Sequence, residues 1–219
     1  SCSAQGSGSH PAIGSPEARA AAYWNTSVME SRQGRVESAL PLATKALSIL
    51  EEAEDARSQT RLRIQLGLLH LRSDPPCPKD AHDVLVIADR DADSNELNAA
   101  DRSRIKVGLS RAFLLMDALD EAEVVAREAL KAGEDSSGLL RAEALIIRGQ
   151  ICSMRDEVQE AVALFREASE DLAALGEVRG AAQLWFEVGA LLDGHHLYQE
   201  AAQAYRTAAG MGSGFVRGS

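Results

Sequence analysis

The chain has 219 residues, of which 45% are hydrophobic and only 4% aromatic, with a formal net charge of −10 at pH 7. That hydrophobic share excludes global disorder. The scarcity of aromatics argues against a β-sandwich or barrel, and the acidity argues against direct binding of nucleic acid or an anionic membrane. Ala and Leu are the commonest residues, which favours helix, and the densest apolar run, Val84 to Ala88, is far too short to span a bilayer.

Residues 1–14 contain no Lys, Arg, Asp or Glu and are rich in Ser and Gly, so they read as a flexible tail or linker. The chain begins with Ser rather than Met, and a further domain upstream is expected. Ser15-Pro16-Glu17 is a helix start: Ser caps, Pro suits the first turn, and Glu complements the positive end of the dipole.

A repeat then begins. A small-x3-large-x2-small pattern occurs as Ala39, Ala43, Ala46, then as Ala81, Leu85, Ala88, and then as Ala122, Ala126, Ala129. It recurs as Ala161, Phe165, Ala168 and as Ala201, Tyr205, Ala208. The leading alanines are 42, 41, 39 and 40 residues apart. Spacings of four and three place these side chains on one helical face, and small residues there admit a close neighbour. Upstream of each set lies another small residue: Ser27, Gly67, Ser110, Gly149 and Gly189. Gly34, Asp117, Asp156 and Asp193-Gly194 break the chain between the two helices of a unit, and the Pro-rich segment Ser73 to Asp80 lengthens that turn in the second unit.

The first helices of the units (helices A) are expected near 17–33, 56–72, 97–117, 139–155 and 178–194. The second (helices B) are expected near 36–53, 79–91, 120–132, 158–174 and 198–210. No unit buries its apolar face alone, so the five stack. The expected fold is all-α, a right-handed superhelical solenoid over residues 15–210, with 211–219 a frayed C-terminal tail.

The pattern resembles the tetratricopeptide repeat. Trp185, Val188, Gly189 and Leu192 stand where that family has W-x2-L-G-x2-Y, and Ala201, Tyr205 and Ala208 stand where it has A-x3-F-x2-A. The period of about 40 exceeds the roughly 34 of the family, and the closing Pro is absent from most units. Longer helices of this kind look like those of bacterial sensor domains, including peptide-sensing quorum regulators. The segments 21–36, 69–81, 181–193 and 198–210 also look like the C-terminal part of actinobacterial Xre-type helix-turn-helix transcriptional regulators. The chain carries no helix-turn-helix of its own, so DNA contact would come only through a missing N-terminal domain.

The resemblance implies a concave groove lined by helices A. With the small residue taken as position eight, position five holds Trp24, Ile64, Val107, Ile146 and Phe186, an apolar stripe. Position two includes Arg61, Arg104 and Glu143, and position nine includes Val28, Leu68, Arg111 and Gln150. Arg61, Arg104 and Arg111 form a basic patch suited to a carboxylate. The stripe and patch fit an apolar peptide with an acidic group or free C-terminus. The alternative is that the stripe packs on a neighbouring helix or subunit while the arginines pair with local Asp and Glu. In related peptide sensors a groove Asn holds the ligand backbone, a role that would fall to Asn25. Chaperone-clamp domains need Lys and Asn where Trp24 and Val28 stand, which disfavours that activity.

No catalytic residue, metal or cofactor is expected. His195-His196 lack a third ligand, His70 and His82 fit no metal spacing, and Gly210 to Phe215 lacks the strand of a phosphate loop. The cysteines, Cys2, Cys77 and Cys152, are odd in number and far apart, which suits a reducing, cytoplasmic setting, and Cys152 is expected to be buried and inert. The acidic runs Glu51 to Asp55 and Asp89 to Glu96 are expected to be solvated surface. The expected function is ligand or peptide sensing and protein interaction within a bacterial transcriptional regulator. The alternative is a stand-alone adaptor or a homodimer scaffold with no small effector.

Overall fold

The computed structural model describes residues 15–133 and 138–213. The expectations for 1–14 and 214–219 lie outside the described residues. Ten helices follow one another among the described residues: α1 (Pro16–Arg32), α2 (Val36–Glu52), α3 (Ala56–Arg72), α4 (Pro78–Arg90), α5 (Ala99–Leu115), α6 (Leu119–Gly133), α7 (Gly138–Met154), α8 (Val158–Ala174), α9 (Val178–Gly194) and α10 (Tyr198–Ser213). No strand occurs among the described residues, and no helix there is long and apolar enough to cross a membrane. The odd-numbered helices are the A set and the even-numbered the B set. Each helix packs on the next, and α5 also touches α3 and α7, so the A helices form one face of the stack.

Local chemistry sets the boundaries. The Ser15 hydroxyl accepts from the Ala18 N–H at 3.2 Å, Asp55 from the Ser58 N–H at 3.1 Å, and Asn98 from the Asp101 N–H at 2.8 Å. Each satisfies one donor left open at a helix start. The tight A-to-B turns share one closure, a backbone bond from an N–H to the carbonyl five residues earlier. It runs from Arg35 to Glu30 at 2.9 Å, Ala118 to Phe113 at 3.0 Å, Glu157 to Cys152 at 2.8 Å and Leu197 to Leu192 at 2.9 Å. The residue before the donor takes the left-handed conformation: Gly34, Asp117, Asp156 and His196, at φ 77°, 61°, 64° and 62°. This is the helix-ending geometry that Gly favours and Asp tolerates. In the last pair the turn therefore falls on His196 rather than on Asp193-Gly194, which still belong to α9. At the C-terminal end, α10 continues through Gly210 to Ser213, beyond the expected stop, so the first residues of the expected tail are helical.

The small residue of each helix A meets helix B in one of two ways. Where helix B carries Leu85, Phe165 or Tyr205, helix A has Gly67, Gly149 or Gly189, and a Cβ there would lie 2.4, 2.7 or 2.6 Å from the large side chain. Where helix B carries Ala43 or Ala126 instead, helix A has Ser27 or Ser110. These buried hydroxyls donate to the carbonyls of Ala39 (2.9 Å) and Ala122 (2.7 Å). Close packing is thus obtained either by a notch for a large side chain or by a hydrogen bond across a narrower gap. The core runs along the whole stack as successive apolar clusters between A and B helices.

Candidate functional site

Two adjoining cavities open on the face made by the A helices. One, of about 510 Å³, lies between α1, α3 and α5 and is lined by Trp24, Val28, Arg61, Ile64, Leu68 and Arg104 among others. The second, of about 340 Å³, lies between α3, α5 and α7 and is lined by Leu68, Arg104, Val107, Arg111 and Glu143 among others. Leu68, Arg72 and Arg104 border both, so the two make one groove.

Polar bonds fix its upper end. Trp24 Nε1 donates to Gln65 Oε1, and Gln65 Nε2 donates to Ser27 Oγ at 3.1 Å. Ser27 in turn donates to the Ala39 carbonyl, so the indole is tied to α3 and α2. Arg72 reaches back to α1, donating to Ser31 Oγ at 3.2 Å and to the Ser31 carbonyl at 3.3 Å.

The charges are unequal. Arg32, Arg61, Arg72, Arg104 and Arg111 line the groove, against Asp101 and Glu143. Arg104 Nη1 lies 2.8 Å and Arg61 Nε 3.4 Å from the Asp101 carboxylate. Arg111 makes no hydrogen bond or ion pair among the described residues. Glu143 is half-buried, and burial raises its carboxyl above the usual value; the nearby Arg111 and Arg104 offset this only in part. The groove therefore carries net positive charge within a chain of net charge −10.

Both readings of the stripe leave their mark. Ile64 and Val107 are buried against neighbouring helices, and Arg61 and Arg104 share a local carboxylate. Trp24, Val28, Leu68 and Arg111 remain partly open in the groove. Four expected residues stand elsewhere. Asn25 is exposed and borders neither cavity, because the sixth position of a helix A faces the preceding unit and none precedes α1 among the described residues. Ile146 is partly buried and packs against the apolar cluster that α7, α8, α9 and α10 share. Phe186 is 55% exposed and tilts on Tyr205 with ring centroids 5.2 Å apart, since no further helix A follows α9 among the described residues to cover it. Gln150 borders a third, apolar cavity of about 670 Å³ with Leu115, Met154 and Leu191.

The sequence reading missed Arg32 and Arg72. Both sit four residues beyond position nine, so the groove series two, five, nine extends to thirteen on the same face. It also missed Gln65 and Asp101, which hold Trp24 and the arginines in place. His195 is 3.4 Å from Asp156 and His196 bonds Tyr198 at 2.8 Å, so each has a local partner.

No protein-family model matches the sequence, and no curated protein matches it. Solved structures do match in shape. A Rap protein complexed with competence and sporulation factor is 15% identical with a TM-score of 0.77, over 91% of this chain and 55% of that one. Aspartyl phosphate phosphatase F from Bacillus subtilis is 13% identical with a TM-score of 0.77, over 93% of this chain and 53% of that one. The chain thus spans about half the length of these two proteins. A Podosopora anserina kinesin light chain with nearly identical TPR-like repeats is 15% identical with a TM-score of 0.69, over 93% of this chain and 99% of that one. At such identities the likeness shows the fold alone, and that fold is the tetratricopeptide-like superhelical solenoid of helix pairs.

Proposed function

We propose that the chain is a peptide- or protein-binding module whose ligand lies in the groove between α1, α3, α5 and α7. The ligand sets an apolar side chain against Trp24, Val28 and Leu68 and a carboxylate against Arg72, Arg104 and Arg111. The observation that carries this reading is the surplus of arginine in a half-apolar groove of an acidic protein. Arg111 is the leading contact, because it has no hydrogen-bonded or ion-paired partner among the described residues and its guanidinium forks onto carboxylates. The structural neighbour bound to competence and sporulation factor supports a binding role for this fold. The reading is non-enzymatic.

In this reading the module is the sensing part of a bacterial transcriptional regulator in the cytoplasm. Occupancy biases the stacking of the units, and a helix-turn-helix domain outside these residues responds. A stand-alone adaptor or homodimer scaffold is the second reading. It is favoured by the apolar side chains open around the third cavity, with Leu115 47% and Met154 54% exposed.

The test is a pool of apolar hexapeptides, offered with free and with amidated C-termini. Retention of the free-acid pool, lost on Arg111→Ala and on amidation, is the expected result. Equal retention of both pools, or an unchanged profile in the variant, would refute carboxylate recognition in the groove.

A further inference from the structure

The second helix pair is closed by a loop unlike the others. The Cys77 N–H and the Ser73 hydroxyl both donate to the carbonyl of His70, each at 2.8 Å, and the same hydroxyl lies 3.0 Å from the Pro75 carbonyl. This staple draws the first residues of α4 against the last turn of α3. Three side chains of different chemistry converge there: a ring nitrogen of His70, Sγ of Cys77 and a carboxylate oxygen of Asp80 lie within 4.8 Å of one another.

Their bonding capacity is unspent. Neither the imidazole of His70 nor the carboxylate of Asp80 makes a hydrogen bond or ion pair among the described residues, and Cys77 Sγ has only the Pro75 carbonyl at 3.7 Å. Cys77 is the residue before the first turn of α4, and Asp80 lies within that turn. The spacing Cys77-x2-Asp80 sets the two on one side of the helix start, and α3 supplies the imidazole from above.

We propose that His70, Cys77 and Asp80 form a binding site for a zinc-type divalent transition-metal ion. Imidazole, thiolate and carboxylate are the donor set such an ion prefers, and thiolate plus carboxylate neutralise its charge. Ligand distances of about 2.0–2.3 Å imply donor separations of roughly 3.3–3.8 Å, so the three groups close by about an ångström through side-chain rotation. Binding releases the Cys77 thiol proton to solvent. Asp80 is exposed and Cys77 partly so, which leaves a fourth position open to water or an added ligand. The bound ion ties α3 to α4 two residues from Arg72, which borders both halves of the groove.

The test is a cobalt titration of the full chain carrying Cys2→Ser and Cys152→Ala, so that Cys77 is the one thiol left. One equivalent is expected to give a near-ultraviolet thiolate-to-cobalt charge-transfer band with visible bands of four-coordinate cobalt, both bleached by zinc. Adding Cys77→Ser should abolish the charge-transfer band. His70→Gln and Asp80→Asn should each weaken binding by about tenfold or more, with far-ultraviolet circular dichroism confirming the helices. Absence of the band at saturating cobalt overturns the site, as does its survival in Cys77→Ser. Unchanged affinity in both His70→Gln and Asp80→Asn would reduce it to a bare thiol and overturn it equally.

Discussion

Replacing Gly149 by Ala sets two local effects against each other, and the structure decides which prevails. Alanine is the better helix former by about 1 kcal/mol, so an unobstructed position would be stabilised. Here the new Cβ would sit 2.7, 2.8 and 3.1 Å from Cε1, Cδ1 and Cζ of Phe165, a residue only 4% exposed. Ordinary carbon contacts are about 3.5–4.0 Å, so a stiff ring in a packed core must retreat by about 0.8 Å or more. Overpacking of that kind costs about 1–3 kcal/mol, and the expected net effect is a loss of up to about 2 kcal/mol. Phe165→Ala removes the obstacle, and Ala43 and Ala126 already occupy the same place in other units. In that background Gly149→Ala should stabilise by about 0.5–1 kcal/mol. Urea unfolding of the four proteins, followed by circular dichroism and tryptophan fluorescence, measures the cycle. The coupling should be well above the roughly 0.3–0.5 kcal/mol expected of independent sites. Stabilisation by Gly149→Ala in the unaltered chain, or the same effect in both backgrounds, would refute the notch.

Two further outcomes follow from the charges. Burial raises the Glu143 carboxyl above its ordinary 4.5, so the folded chain holds that proton more tightly than the unfolded one. Its contribution to stability therefore falls as pH rises from the ordinary value through the raised one. Glu143→Gln should remove this decline, stabilise the neutral protein and tighten binding of a free-acid peptide; identical pH–stability curves for the two proteins would contradict it. Burial, aided by Glu157, pushes the Cys152 thiol from 9.0 up to about 11, which leaves about a hundredfold less thiolate near neutral pH. In the metal-free native protein, iodoacetamide should modify Cys77 long before Cys152, and mass spectrometry showing equal rates would argue against the buried setting.

The repeats were legible because alanines four and three apart mark a close-packed helix face, and a period near 40 is the length of one helix pair with its turns. Helices α3, α8 and α9 fall where the spacing placed them. The groove was legible only on the faces that neighbouring units cover. Position five points into it at Trp24 and Ile64 but out to solvent at Phe186, because what a helix face meets depends on whether another unit follows. Spacing also could not reveal that Asp101 stands between Arg61 and Arg104. Its contact with Arg104 is an i,i+3 pair within α5, but its reach to Arg61 on α3 belongs to the superhelix rather than to any one repeat. His70, Cys77 and Asp80 were equally hidden, since a backbone staple, not a familiar spacing, brings them together.

A chain of five similar units could stack its helices in many wrong orders. The two ways of filling the space beside helix B guard against this. If α1 docked on α4, Ser27 would collide with Leu85; if α3 docked on α6, Gly67 would face Ala126 across a void. The first three units alternate between the two types, and the last two differ in the ring they admit, Phe165 or Tyr205. The two types thus act as two addresses, and an assembly that sets a Ser-type helix A against a large side chain, or a Gly-type helix A against an alanine, is penalised at that joint. Making the units more alike would erase those addresses, so uniformity would cost the chain its unique order before it cost any single contact.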